Sequence, residues 1–278
     1  MSERKPKAWV TILVHVLLVI WLIYSIMPFV WTLATSFKQV VDAFAVPPKF
    51  IFEPTLDAYE LLWGRERFPE YLINSAIVAF STVAISISIG CLAGYGLARY
   101  SGMSGFVILI VALLFRSLPR MAFALPYFII GQWVGLYDTK LLLVLVLVTV
   151  NQPFTIWMLR SFFMEIPKEL EEAAMVDGCS RLSAFVRVIM PLMGPGIVTA
   201  SIFSLLLAYN EYLLAAMVTA TNARTLPVVI AQFGVAEDLQ AWTITAAAGV
   251  SVALPIVLVV LFAQKYVVRG LTFGAVKG

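Results

Sequence analysis

Charge is missing from long stretches of this chain. Residues 9–34, 71–98, 141–159, 188–210 and 239–264 contain no Asp, Glu, Lys or Arg. A sixth apolar stretch, 104–131, is interrupted only by Arg116 and Arg120. None of these runs alternates apolar with polar positions, so they do not read as strands of a membrane barrel. An unbroken apolar run of about 20 residues makes a helix long enough to cross a hydrocarbon core about 30 Å thick. The pattern therefore predicts an all-α membrane protein of six transmembrane helices, at about 9–34, 71–98, 104–131, 141–160, 192–218 and 239–264. They form one transmembrane domain over 1–278, with both ends of the chain on the same side. Arg4, Lys5 and Lys7 precede the first run as they would in a secretory signal. The run is longer than an h-region, however, and no small-residue cleavage site follows, so it is expected to be retained as a helix.

Composition narrows the class. Of 278 residues, 62% are hydrophobic and 13% charged, against about 45–50% and about 25% in soluble domains. That excludes a cytosolic enzyme, a secreted disulfide scaffold and a disordered tail. The net charge of +3 matters less than its placement. With the N-terminus in the cytoplasm, eleven Lys and Arg fall on segments inside and six on segments outside, so the positive-inside bias puts both termini in the cytoplasm. No basic stripe interleaves with aromatics, so no nucleic-acid partner is expected. Two distant cysteines (Cys91, Cys179) and one histidine (His15) make neither a disulfide framework nor a metal site.

Polar residues inside the predicted spans are costly there and face a cavity or a partner. Arg116 and Arg120 lie four apart on one helix face with Pro119 between them; Asn151 and Gln152 precede Pro153; Tyr209, Asn210 and Glu211 interrupt the next span. Two readings stand. These groups are helix–helix glue, including a charge pair such as Arg116 with Glu211, or they line a polar path across the membrane. Gly90 and Gly94 form a G-x-x-x-G that reads as close helix packing. Outside, residues 35–70 and 220–238 are long polar loops, either plain connections or a docking surface for an extracytoplasmic partner.

The segment 165–191 is the largest polar stretch on the cytoplasmic face. Pro167 suits the first turn of a helix, and Glu169, Glu171 and Glu172 suit the positive end of its dipole. Gly178 fits a helix end, Ser180 can cap a second short helix with the apolar face Leu182, Phe185, Val186 and Ile189, and Pro191 closes it. The product is a helical hairpin on the membrane surface. Physics alone leaves it either as padding of the bilayer surface or as a knob for a cleft on a soluble partner.

Residues 172–191 read E-A-A-M-V-D-G-C-S-R-L-S-A-F-V-R-V-I-M-P. This resembles the EAA loop of permease subunits in bacterial ABC importers: Glu-Ala-Ala, three residues, Gly, nine residues, then Ile-x-Leu-Pro. Glu172, Ala173, Ala174, Gly178 and Pro191 match; Val188 and Met190 replace Ile and Leu by other apolar side chains. The run from Ser36 to Tyr59 is similar to the segment after the first helix of carbohydrate-importer permeases. The tail G-L-T-F-G-A-V-K-G, 270–278, resembles that of the smaller, six-span permease of maltose-type systems.

The resemblance implies a type I importer permease fold with coupling helices between spans four and five. It implies a heteromeric complex in the bacterial inner membrane: a second, homologous permease, an ABC ATPase dimer below, and an extracytoplasmic sugar-binding protein that delivers a carbohydrate. Glu171, Glu172, Ala173, Ala174, Asp177 and Gly178 would couple to the ATPase, and Gly274 and Lys277 in the tail would reach its interface. ATP and magnesium would sit on the ATPase, because no G-x-x-x-x-G-K-[ST] occurs here. This chain would then hold no cofactor and no catalytic residue. Arg116, Arg120, Asn151, Gln152, Tyr209, Asn210 and Glu211 remain the candidates for a substrate pathway. An ion-coupled secondary transporter is the alternative; it would need broken helices in an internal repeat, which is not visible. A membrane-embedded enzyme would need a catalytic constellation that one His and no in-span carboxylate pair do not supply.

Overall fold

The structure, a computed structural model, describes residues 8–64, 67–99, 102–233 and 240–273. Every regular element among them is helical. The chain divides into two compact units, residues 1–66 with 232–253 and residues 67–231 with 254–278.

The first unit holds α1 (Ala8–Ser36), α2 (Val40–Ala43), α3 (Asp57–Gly64) and the start of α14 (Gln240–Phe273). At about 1.5 Å per residue, the 29 residues of α1 rise about 43 Å. Its apolar side chains are exposed along almost the whole length, Trp21 to 68% and Phe29 to 73%. A surface of that kind is stable only in lipid or against another apolar subunit. The segment after α1 folds around Lys38, which is buried to 2% exposure. Its Nζ donates to the Lys49 carbonyl at 2.7 Å and lies 4.3 Å above the Trp31 ring. Ser36 Oγ and the Tyr59 hydroxyl pair at 2.9 Å, and Lys49 bonds Asp42 at 2.7 Å.

The second unit is built on α4 (Phe68–Arg99), α7 (Lys140–Glu165) and α11 (Gly194–Tyr209). The expected G-x-x-x-G contact is present. A Cβ on Gly90 would come within 2.9 Å of Thr155 and Leu159, and one on Gly94 within 3.0 Å of the Arg160 backbone nitrogen. The two helices meet there closely enough that only glycine fits. Beside them lie α5 (Met103–Ser117), α6 (Met121–Trp133), α8 (Glu169–Val176), α9 (Arg181–Ala184), a π-helical turn (Phe185–Ile189), α10 (Met190–Leu192), α12 (Leu213–Val218) and α13 (Leu226–Phe233).

Two expected spans are broken. The stretch 104–131 is α5 and α6, bent by 93°. Pro119 causes this: Leu118 before it is held extended (φ −65°, ψ 147°), which ends α5. The stretch 192–218 is α11 and α12, interrupted at Asn210–Tyr212, and the chain also bends by 74° where α11 begins. Four helices are long and apolar enough to cross a membrane alone, or up to six if each bent pair is one span.

At the end of this unit far from Arg99, Asp138 makes a latch that the sequence did not advertise. It has φ 59°, and its carboxylate accepts from the backbone N–H groups of Ala220, Thr221, Asn222 and Ala223 at 2.8–3.2 Å. Asn74 Nδ2 donates to the Asn222 and Arg224 carbonyls, and Leu226 N to Ser75 Oγ. The loop before α13 is thus fixed from two sides. Partial burial pushes the Asp138 carboxyl up, but the four N–H donors outweigh it and hold it below the usual carboxylate range. A depressed carboxyl contributes stability above its unfolded value of about 3.9, and that stability is lost as pH falls through the folded value. Asp138→Asn is expected to destabilise the protein by about 1–3 kcal/mol at pH 7, read by thermal unfolding in detergent. The gap to the wild type should begin to narrow below about pH 4, where the unfolded chain takes up the proton, and close only as pH falls through the lower folded value. A gap independent of pH would contradict the latch.

Candidate functional site

The hairpin candidates sit on α8, its turn and the helix that follows. α8 starts at Glu169, two residues after Pro167 and behind the cap residue Lys168, with three glutamates in its first turn, where the helix dipole favours them. It ends in the αL cap expected of glycine. Gly178 has φ +90°, Gly178 N donates to the Met175 carbonyl at 3.1 Å, and Cys179 N to the Ala174 carbonyl at 3.0 Å. A Cβ on Gly178 would meet nothing within 4 Å, so glycine is needed there for its backbone angle and not for room. Ser180 Oγ then accepts from Ser183 N at 3.3 Å and starts the second helix. Its backbone widens into the π turn just before Pro191, whose ring would collide with the Arg187 carbonyl in a regular helix.

This hairpin has an outer and an inner face. Glu172, Ala173, Asp177 and Gly178 are exposed, with Val176 at 87% and Leu182 at 69%. The outer face thus carries small and apolar groups rimmed by carboxylates. Ala174 turns inward, and Phe185, Ile189 and Met193 pack with Cys91, Leu159, Phe163 and Ala200 beneath the ends of α4 and α7. Glu171, expected among the coupling contacts, also turns inward: it is 8% exposed and receives hydrogen bonds from Tyr95 and Arg99. Glu171 and Glu172 point apart because successive helical residues are rotated by about 100°.

The polar candidates within the spans fall into three places. Arg120, not Arg116, pairs with Glu211. Pro119 places Arg120 at the start of α6, while Glu211 lies at the break before α12, whose first turn it caps by accepting from Leu214 N at 3.1 Å. The ion pair thus ties one helix break to the other. Arg116 lies over the Phe154 ring at 4.7 Å. Asn151 is buried in α7, and the Gln152 side chain donates to the Ser86 carbonyl at 3.3 Å across the seam with α4. Tyr209 is buried at the end of α11, and Asn210 is exposed with its side chain on the Leu206 carbonyl. Gly274 and Lys277 lie outside the described residues. Among the described residues no group of three or more His, Cys, Asp or Glu could hold a metal ion.

Long apolar helices, breaks tied by an in-span ion pair and a surface knob with a buried base define a membrane-embedded transport subunit. Residues 86–273 match the family described as binding-protein-dependent transport system inner membrane component, and the chain belongs to that family. It is 37% identical over 260 residues to the trehalose transport system permease protein SugB of Mycobacterium tuberculosis, covering 92% of this chain and 93% of that protein. It is 36% identical over 250 residues to the probable ABC transporter permease protein y4oR of Sinorhizobium fredii, covering 90% of each. A solved bacterial ABC transporter involved in the import of the acidic polysaccharide alginate shares the fold, with a TM-score of 0.78 at 20% identity over 95% of this chain and 99% of that one. The fold is that of type I importer permeases. The chain is a permease subunit and not an enzyme; ATP hydrolysis belongs to partner subunits. Family membership sets aside the ion-coupled carrier.

The positive φ at Gly178 gives a direct check. Gly178→Val forces a β-branched side chain into the left-handed region, where an ordinary residue already loses about 1–2 kcal/mol. Limited proteolysis should cut the 177–181 turn several-fold faster in Gly178→Val, whereas Gly178→Asn, which tolerates that region, should stay near wild type. Equal rates in all three would mean that the turn geometry is unimportant.

Proposed function

We propose that this chain is the smaller permease of an ATP-driven carbohydrate importer and forms half of its translocation path. The observation that carries the reading is the hairpin: its knob is exposed while its base is packed under α4 and α7. Such a part is useless to a lone carrier and suited to receive motion from a soluble motor. The family description names dependence on a binding protein, and relatives bear the names of sugar systems, which supports carbohydrate as the substrate class.

In this reading the chain crosses the inner membrane six times, with each broken pair acting as one span and both termini in the cytoplasm. A second permease covers the exposed apolar surfaces. An ABC ATPase dimer carries ATP and magnesium and takes the knob formed by Glu172, Ala173, Asp177 and Gly178, while the tail with Gly274 and Lys277 reaches its interface. The sugar-binding protein docks on the far side, where Asp138 fixes the loop before α13. When the ATPase dimer closes on ATP, the knob moves and the helices switch the cavity from inward-facing to outward-facing. Arg120, Asn210 and Arg116 supply donors along the path, and Glu211 holds Arg120 in place.

The test is reconstitution of the permease with its second permease, ATPase and binding protein in proteoliposomes. Radiolabelled disaccharide should accumulate only with ATP and binding protein, and Gly178→Val should lose most uptake together with ATPase co-purification. Uptake driven by an ion gradient without ATP would overturn the proposal.

A further inference from the structure

We propose that Glu171, Arg99 and Tyr95 form the joint through which movement of the hairpin reaches α4, so that Glu171 is a positioning residue for coupling and not a contact to the motor. The inference rests on the proposed function and adds to it a route inside this chain.

Along the sequence the hairpin is joined to α7 at one end and to α11 at the other. α4 has no covalent connection to it. Yet the last two turns of α4 hold the closest polar contacts that α8 makes. Arg99 Nε donates to Glu171 Oε2 at 2.9 Å, and the Tyr95 hydroxyl donates to Glu171 Oε1. The same guanidinium donates through Nη1 to the carbonyls of Phe163 at 3.1 Å and Ile166 at 3.3 Å. These carbonyls lie in the last turn and at the cap of α7, where the Phe163 oxygen also accepts the Ile166 N–H at 3.4 Å, and the end of a helix favours a cation. One arginine thus fastens three segments: its own helix α4, the end of α7, and α8.

The joint is sheltered. The side chains of Arg99 and Glu171 are 15% and 11% exposed. The Tyr95 ring lies 4.6 Å from that of Phe185 in the π turn and 5.6 Å from that of Phe163 in α7. Tyr95 therefore grips the hairpin at two levels, by its hydroxyl on α8 and by its ring on the second helix.

The chemistry explains why a charged joint belongs here. The rest of the base is apolar: Phe185, Ile189 and Met193 on Leu159 and Phe163. Apolar burial is non-directional and lets surfaces slide at little cost. A carboxylate held by a guanidinium and a phenol is directional and out of bulk water, so displacement leaves a charge unpaired. Pulling on the knob then drags α4 along with α7, instead of shearing the hairpin across their ends. Because Thr155, Leu159 and the Arg160 backbone of α7 seat directly against Gly90 and Gly94 of α4, the pair travels together.

The experiment uses the full importer in proteoliposomes and reads substrate moved per ATP hydrolysed, beside ATPase co-purification. Two mild variants are compared with wild type: Glu171→Gln, which keeps the shape, and Tyr95→Phe, which keeps the ring packing and loses only the hydroxyl. Both are expected to co-purify with the ATPase and to hydrolyse ATP when binding protein is added, while moving at least about threefold less substrate per ATP. Unchanged substrate per ATP in both mild variants would overturn the joint. Loss of ATPase co-purification in Glu171→Gln with Tyr95→Phe normal would also overturn it, since Glu171 would then touch the motor. Wild type that shows no ATP-dependent uptake would instead bring down the proposed function itself.

Discussion

A polar hairpin on a membrane surface can work on the helices beside it only if its base cannot slip. Here the base is held in two ways that differ in kind. Apolar side chains from the π turn and α10–α11 junction fill the space under α4 and α7, which supplies most of the adhesion. The buried pairing of Glu171 with Arg99 supplies direction. With the base fixed, the outer face is left to small and acidic residues around the αL turn at Gly178. Without the base, the same outer residues would be only an amphipathic segment on a bilayer.

The membrane imposes the other constraint. Spans that break must satisfy or shield what the break exposes. Pro119 ends α5 and Asn210 to Tyr212 end α11, and the two breaks are tied to each other by Arg120 and Glu211. Glu211 also caps the first turn of α12. Arg116 instead lies over the face of Phe154. The far end of this unit is closed by a separate device, the Asp138 carboxylate on four backbone amides. Both ends of the unit are therefore held by charges on short segments, while the long helices between them meet through glycine.

Much of this was legible before any coordinates. Charge-free runs located the long helices, because the hydrocarbon core sets their length. The order Pro167, three glutamates, Gly178, Ser180, Pro191 marked the hairpin, because each residue type answers a local backbone need. What escaped was pairing across the fold. The sequence set Arg116 against Glu211, but spacing along one helix cannot say which of two arginines a bent partner will reach; the 93° turn at Pro119 selects Arg120. Glu171 looked like its neighbour Glu172, since the run of glutamates hides which one faces inward. Asp138 carried no signal at all: an αL aspartate in a loop is visible only through its backbone angle. Lys38 lies in the polar stretch 35–70, where nothing in its spacing marks it as the buried post around which that loop folds.

In the proposed assembly the outer face of the hairpin enters a companion ATPase while the inner face stays on the spans. Single cysteines at Val176, 87% exposed, and at Ala174, 8% exposed, separate the two faces in a background where Cys91 and Cys179 are replaced by serine. In the assembled complex, a benzophenone maleimide carried on Val176→Cys should photo-cross-link to the ATPase subunit, and Ala174→Cys should give no link. If Val176→Cys stays as open to maleimide in the complex as in the isolated permease and forms no link, the hairpin is not the coupling element and the account fails.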